Sequence, residues 1–597
     1  MNNKPKSIWE KSWKGRYALL GLALFLACAG LLGALIICHQ DELFGIDFWI
    51  GSMVCTIVVT CVFLIILGLI RFVRRLLCWR NFKRFLFAIA CIITLIALFY
   101  AEEDWRGWHA WQKFKQEWEA KGEKFDMAGV IPPPVPEDQN FALTPIVASG
   151  YEAMLDKTGH EVQPRNTNVV DRLSMITWRD NHWAKIPQSD GWQASKKSDL
   201  NAWQAYFRSP PPPNSVETNS FLVAPRPQSP ADDILLALSK YASAIEEIRQ
   251  AGQLPYSRFP LTYNIENPAD ILLPHLAALK SCAQALNLRS LAEQQNGQSE
   301  KAHADVKLSL RLADSIHTEP FLISHLVRIA ILQNALQPVW EGLAEHRWSE
   351  EQLVALDMEL AKLDFLADYK LGMRGASGSQ GGIIECLRQH PEQMMDISHD
   401  NYNGHKMPFP ARIIWQMIPS SWFDQSRLRC ARMMVEFYIP LADMKQRTIS
   451  PALTRRANAA FEADIKHRSP YNILERLLLP AMGNAVKKFA SAQTSVDLAR
   501  VAIALERYRL AHGEFPESLD VLAPQFIAKL PHDVINGQPL HYRRTSDGQF
   551  VLYSVGWNET DDGGVVETKV VGVADGKNRT PIWDISQGDW VWRYPAK

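Results

Sequence analysis

Long apolar runs alternate with charged segments over the first hundred residues. Two runs, residues 17–38 and 48–70, contain no charged residue, and a third, residues 85–100, is shorter but equally apolar. A helix needs about 20 apolar residues to cross the hydrocarbon core of a bilayer. The first two runs meet that length, and residues 82–84 can extend the third because long basic side chains reach back to the headgroups. The pattern predicts three transmembrane helices, with a buried soluble helix as the alternative for the third.

The charges beside these runs predict their orientation. Basic residues precede the first run and separate the second from the third, whereas acidic residues follow the first and third runs. Because basic loops stay on the cytoplasmic side, we expect a multi-pass protein of the cytoplasmic (inner) membrane with a cytoplasmic N-terminus. Residues 101–597 are then extracytoplasmic, in the periplasm. Tyr100, Trp105 and Trp108 are typical of the outer aromatic belt.

Beyond residue 104 the pattern changes to helical periodicity. Residues 105–230 predict an exported helix followed by a Pro- and Trp-rich irregular region, and residues 231–480 predict a helical region. Residues 481–597 predict a long helix followed by strands. The predicted fold is therefore mainly α, with three N-terminal transmembrane helices, a large exported helical region and a small C-terminal α+β domain.

Local signals refine the helical region. Ser349 and Gln352 have the spacing of a capping box. The glycine-rich stretch at 374–382 lacks the Lys-Ser/Thr ending of a phosphate loop and predicts a flexible surface loop. A helix–glycine turn–helix rhythm is carried by Leu288, Arg289, Leu291, Ala292, Gly297, Ala302 and Asp305. This rhythm resembles a tetratricopeptide-like hairpin, a helical repeat, over one or two units.

Composition narrows the functional classes. The 64 Lys and Arg residues balance 64 Asp and Glu residues, so no net charge favours nucleic acid as a partner. Cys282, Cys386 and Cys430 are the cysteines beyond residue 100 and allow at most one disulfide, without zinc-ligand spacing. No catalytic residue is assigned. A membrane-tethered extracytoplasmic hydrolase remains the alternative function, with His317, His325 and Glu341 as the titratable groups that would have to converge.

The C-terminal residues 491–564 carry a longer ordered pattern. A helix ends at a glycine, and then come Phe-Pro, Leu-Pro-x-Asp, a hairpin turn at 545–548 and Gly-Gly. This order resembles the globular domain of the major pseudopilin of type II secretion. The matching residues are Leu505, Tyr508, Gly513, Phe515, Pro516, Leu519, Leu522, Pro524, Leu530, Pro531, Asp533, Gly537, Tyr542, Ser554, Gly556, Asp562, Gly563 and Gly564.

Two features complete this C-terminal pattern. The helix at 490–512 is predicted to be amphipathic, which departs from the apolar filament helix of a pseudopilin. The aromatic tail with Trp583, Trp590 and Trp592 predicts burial against a neighbouring domain, with an exposed recognition surface as the alternative.

The resemblance also implies a metal hypothesis. It places residues 552–564 in the loop where secretion pseudopilins hold calcium. Asn558, Asp561 and Asp562 are then the candidate ligands for calcium, which takes roughly six to eight oxygen ligands. The alternative is a turn shaped by its glycines.

Together these patterns predict a membrane-anchored, non-catalytic structural or interaction protein associated with the envelope or with secretion. It would present the pseudopilin-like domain outside the cytoplasm. The expected partners are the lipid bilayer and envelope or secretion-system proteins.

Overall fold

The computed structural model describes most of the chain from residue 79 onward. The chain divides into two compact units, with the boundary between Glu102 and Glu103. The finer boundaries at 104, 230 and 480 stay predictions. The first predicted span lies outside the described residues apart from residue 21, and the second is described only at 61–62 and 64–70, which are helical. The described residues are 21, 61–62, 64–71, 79–149, 153–155, 161–164, 171–181, 183–187, 191–212, 219–390, 415, 417–480, 482–572 and 579–595.

Helix α1, Trp79–Glu119, contains the third predicted span. Within the described part of the chain, its stretch Phe82–Glu119 is the one helix long and apolar enough to cross a membrane, and its most apolar window of 18 residues has a mean hydropathy of 2.3. None of its apolar window is buried, and Phe87 and Leu95 are 72% and 66% exposed. The run is therefore exposed in the described structure, which favours a membrane span over a buried soluble helix, because a soluble protein would bury such a surface.

Residues 103–595 fold mainly into helices, as predicted. The Ser349–Gln352 capping box is present at the start of one of them, and another passes into a π-helical segment, Met433–Tyr438. The helices are α2 Pro145–Ala148, α3 Leu200–Arg208, α4 Pro230–Leu238, α5 Ala242–Ala251, α6 Pro274–Gln295, α7 Ser299–Asp314, α8 Leu322–Ala344, α9 Glu350–Leu360, α10 Phe365–Gln389, α11 Ser420–Arg432, α12 Pro451–Ile465, α13 Ile473–Leu478 and α14 Met482–His512.

Helices α6 and α7 form the helix–turn–helix expected around Gly297. The φ angle of Gly297 is +70°, a conformation that glycine adopts without steric cost. Asp305 of α7 is fully buried. Its carboxylate accepts hydrogen bonds from Arg249 of α5 at 2.8 Å and from Arg289 of α6 at 2.5 and 2.7 Å. This ionic network joins three helices, while the tetratricopeptide-like resemblance stays a prediction.

The glycine-rich stretch at 374–382 is helical, so the predicted surface loop is wrong. Its glycines let α10 approach other backbone segments closely. A Cβ atom would lie 1.6 Å from the Pro320 carbonyl oxygen at Gly375 and 2.6 Å from Pro268 Cγ at Gly382. Glycine is a poor helix former, and close tertiary packing therefore outweighs local propensity here.

Helix α14 ends at His512, as predicted, but it is not amphipathic. Every side chain from Phe489 to Glu506 is buried except that of Arg500, which is partly exposed. The polar side chains on α14 have partners inside the core. Gln493 Oε1 accepts from the N–H of Phe365 at 2.9 Å, and Ser495 Oγ accepts from the Gln333 amide at 3.0 Å. The helix is buried on all sides because α8, α9, α10 and α12 pack against it.

Small antiparallel sheets complete the fold, including the predicted C-terminal strands. The hairpin predicted around residues 545–548 pairs Tyr542 with Leu552, and Leu552 also pairs with Trp592. The paired strands are β1 Ala153–Leu155 with β2 Glu161–Pro164, β3 Ala442–Asp443 with β4 Thr448–Ile449, β5 His541–Arg544 with β6 Phe550–Ser554 and β9 Trp590–Arg593, and β7 Val566–Gly572 with β8 Arg579–Gly588.

The aromatic tail is packed into the helical body. Trp590 and Trp592 are buried, and Trp583 is half-buried. The ring centroids of Trp592 and Trp192 are 5.0 Å apart. The Trp340 indole donates to the Arg593 carbonyl at 3.1 Å. The prediction of burial is thus confirmed for Trp590 and Trp592, and the C-terminal sheet shares the core of the helices.

Candidate functional site

The predicted calcium ligands lie together in a turn between β6 and β7. The Asn558 amide donates to Asp562 Oδ2 at 2.8 Å. Asp561 Oδ1 accepts from the Tyr553 hydroxyl at 3.0 Å and from the N–H of Gly563 at 2.9 Å. Gly563 has a φ of +74°, which a side chain would disfavour. Several polar atoms of the candidate ligands therefore already serve the turn itself.

A residue that sequence reasoning missed, Asp589, fixes the same turn. Its carboxylate is fully buried and accepts from the N–H groups of Asp562 at 3.2 Å and Gly564 at 2.6 Å. Asp589 lies between β8 and β9, and a separation of 25 residues from Gly564 leaves no local sequence pattern that links them. Asp589 and Gly564 come together because β7 and β8 pair, a contact that the sequence alone does not show.

The electrostatics of the turn agree with a structural role. Burial raises the pKa of Asp589, and the nearby charges of Asp562 and Asp561 raise it further, against the hydrogen bonds from Gly564 and Asp562. The N–H of Gly563 lowers the pKa of Asp561. Among the residues that the structure describes, no group of three or more His, Cys, Asp or Glu side chains is arranged to hold a metal ion. The arrangement favours the glycine-shaped turn, and calcium binding stays a prediction.

The three groups proposed for a hydrolase do not converge. His317 is exposed, and its Nδ1 lies 2.6 Å from the Asp314 carbonyl oxygen. His325 is fully buried on α8. Glu341 lies farther along the same helix, roughly 24 Å away at about 1.5 Å per residue. Its carboxylate accepts from the N–H of Ser198 at 2.9 Å. The trio therefore occupies separate environments and forms no common site.

His325 lies beside a buried ion pair formed by Arg328 and Asp368. Burial lowers the pKa of His325 to about 3, and the Arg328 cation lowers it as well. Arg328 donates to Asp368, whose pKa burial raises to about 7. His325 is consequently neutral at neutral pH, and its ring packs beside Phe489, with centroids 6.1 Å apart.

A polar groove of about 600 Å³ opens beside α7. Arg311 crosses it and donates to the carbonyls of Gly252 at 3.0 Å and Leu254 at 2.9 Å, which holds the chain that follows α5. The lining carries both signs of charge, so it favours neither an anionic nor a cationic ligand. The charged lining residues are Arg249, Lys307, Arg311, Lys362, Glu300, Asp314 and Glu359.

The residues that directly follow the apolar part of α1 hold two distant segments of the chain. Glu103 Oε2 accepts from the Tyr471 hydroxyl at 3.0 Å. Asp104 Oδ1 accepts from the N–H of Ser421 at 3.0 Å, at the first turn of α11. At Gly107 a Cβ atom would lie 2.5 Å from Ser421 Cβ. We call these five residues the junction.

Sequence reasoning missed the junction because its hydrogen-bonded partners are 368 and 317 residues apart in the chain. In the sequence, the acidic residues after the third apolar run indicate only the orientation of the span. Their second role, as acceptors for Tyr471 and Ser421, depends on tertiary folding.

Comparisons of this chain with protein families, curated proteins and solved structures found no match.

Proposed function

We propose that the protein is a membrane-anchored, non-catalytic structural or interaction protein associated with the cell envelope or with secretion. The observation that carries the proposal is the exposed apolar surface of α1 between residues 82 and 100. A bilayer is the environment that removes such a surface from water. The junction supports an anchoring role, since the residues that follow this surface are tied into the body formed by residues 103–597.

The proposal extends to a multi-pass topology. The charge pattern supports three spans, a cytoplasmic N-terminus and an extracytoplasmic location for residues 101–597. The charges that bear on the third span are Arg71, Arg74, Arg75, Arg80, Lys83 and Arg84 before it and Glu102, Glu103 and Asp104 after it.

The secretion association rests on the pseudopilin-like order of the C-terminal elements. α14 is followed by a short 3-10 helix, Leu519–Leu522, and by the β5–β6 hairpin, which is the order that the resemblance implies. These elements share one core with α8 and α10. The C-terminal part therefore acts as a fixed surface of the helical body.

Site-specific photo-crosslinking in intact membranes tests this function. A benzophenone amino acid at Leu510 or Val521, which are 45% and 51% exposed, should capture envelope or secretion proteins identified by mass spectrometry. The matched control is Met358 on α9, which is 62% exposed and lies outside the pseudopilin-like part. The proposal would be refuted if the variants at Leu510 and Val521 both yield only the uncrosslinked chain and deletion of the gene leaves secretion unchanged.

A further inference from the structure

Exposed apolar and basic side chains form one face around α13. Ile473 and Leu477 are 54% and 38% exposed and lie one helical turn apart, on the same side of the helix. Leu474 and Glu475, between them, are buried in the body. The exposed basic side chains that precede the helix are Lys466, His467 and Arg468. We call Ile473, Leu477 and these three residues the α13 face.

A hydrogen bond ties the segment just before α13 to Glu103, the first residue of the body. Tyr471, two residues before Ile473, donates to Glu103 at 3.0 Å. Glu103 follows Tyr100 by three residues, roughly 4.5 Å along a helix. Two residues of chain span at most about 7 Å. Ile473 therefore lies two residues from a side chain that bonds to Glu103, and in the sequence Glu103 directly follows the apolar part of α1.

A second segment brings an apolar side chain to the same place. Ser421 is held by Asp104 at 3.0 Å, and Met417, four residues before Ser421, is 63% exposed. The ring of Trp422 lies 5.8 Å from that of Tyr471, which joins the two segments. Exposed apolar side chains thus stand close in sequence to the junction residues Ser421 and Tyr471, in two separate segments of the chain.

We infer that the α13 face rests on the lipid surface of the same bilayer that α1 crosses. Ile473 and Leu477 enter the interfacial zone, and Lys466 and Arg468 lie near lipid phosphates. Apolar residues flanked by basic ones are the combination that binds anionic bilayer surfaces. With α1, this contact gives the body a second point of attachment to the membrane. The inference rests on the membrane anchoring in the proposed function.

The test uses the full chain reconstituted into vesicles of phosphatidylethanolamine and phosphatidylglycerol. A benzophenone amino acid is placed singly at 473, 477, 92 or 358. Position 92 lies in the apolar stretch of α1 and is 57% exposed, whereas position 358 is 62% exposed on α9. After irradiation, intact mass spectrometry measures a mass increase of one phospholipid.

We expect a phospholipid mass increase for the variants at 92, 473 and 477 and no such increase for the variant at 358. Lipid adducts at 92 but not at 473 or 477 would overturn the inference and leave the anchor intact. The absence of adducts at 92 would overturn the anchor, and with it the proposed function. Adducts joining two protein chains at 473 in place of lipid, or equal lipid adducts at 358, would also overturn the inference.

Discussion

Replacing Asp305 with alanine lowers the free energy of unfolding by about 3–5 kcal/mol, because the change leaves two half-buried guanidinium groups without their shared carboxylate. Asp305 is 0% exposed, and it pairs with Arg249 and Arg289 across three helices. Urea denaturation of the full chain in detergent, followed by tryptophan fluorescence, measures the loss.

Glu117→Gln is the matched control for Asp305→Ala. Glu117 also pairs with a cation, Lys121, at 2.8 Å, but both side chains are more than half exposed. Exposed pairs contribute little because water and salt screen them, so the control should unfold close to the parent chain. Equal midpoints for the two variants would show that the Asp305 network does not stabilise the helical body.

Gly375→Ala is expected to destabilise the protein by at least about 3 kcal/mol, the upper part of the range for overpacking a core. The new methyl group would lie 1.6 Å from the Pro320 carbonyl oxygen. That atom belongs to the backbone, so α10 itself has to move. The loss is measured as a shift of the urea midpoint, and faster cleavage by trypsin should accompany it.

Gly381→Ala on the same helix is the control for this steric effect. Its nearest neighbour would be the Phe125 carbonyl oxygen at 3.2 Å, a tight contact that the chain can relieve by a small shift. Replacing a helical glycine with alanine also gains about 1 kcal/mol of helix propensity. We expect little net change at Gly381, and a similar loss at both glycines would contradict the packing explanation for α10.

Local signals in the sequence predicted the elements whose causes are themselves local. The capping box at Ser349 starts a helix because its two reciprocal hydrogen bonds lie within one turn. Gly513 and Gly548, with φ angles of +87° and +77°, mark the end of α14 and the turn of the β5–β6 hairpin. In each case the neighbouring residues are sufficient to determine the backbone conformation.

The wrong and missing predictions concern contacts between distant parts of the chain. The sequence alone predicts a loop at Gly375, Gly378 and Gly382 because the segments that these glycines contact, near Pro320, Asp126 and Pro268, lie 55 or more positions earlier in the chain. The polar residues of α14 suggested a solvated face, yet Gln493 bonds to Phe365 in another helix. Asp589 and the junction were missed for the same reason. A single sequence carries no periodicity that reports such pairs.

In the proposed topology, α1 crosses a membrane and residues 103–597 lie on its non-cytoplasmic side. Thiol labelling of Met358→Cys in intact spheroplasts, with a reagent that does not cross the cytoplasmic membrane, tests this most directly. The parent chain carries nine native cysteines, of which Cys282, Cys386 and Cys430 are buried, so labelling of each variant is measured above the labelling of the parent chain. We predict labelling at 358 before lysis and labelling of Arg80→Cys only after lysis. Labelling at 358 only after lysis would contradict the account.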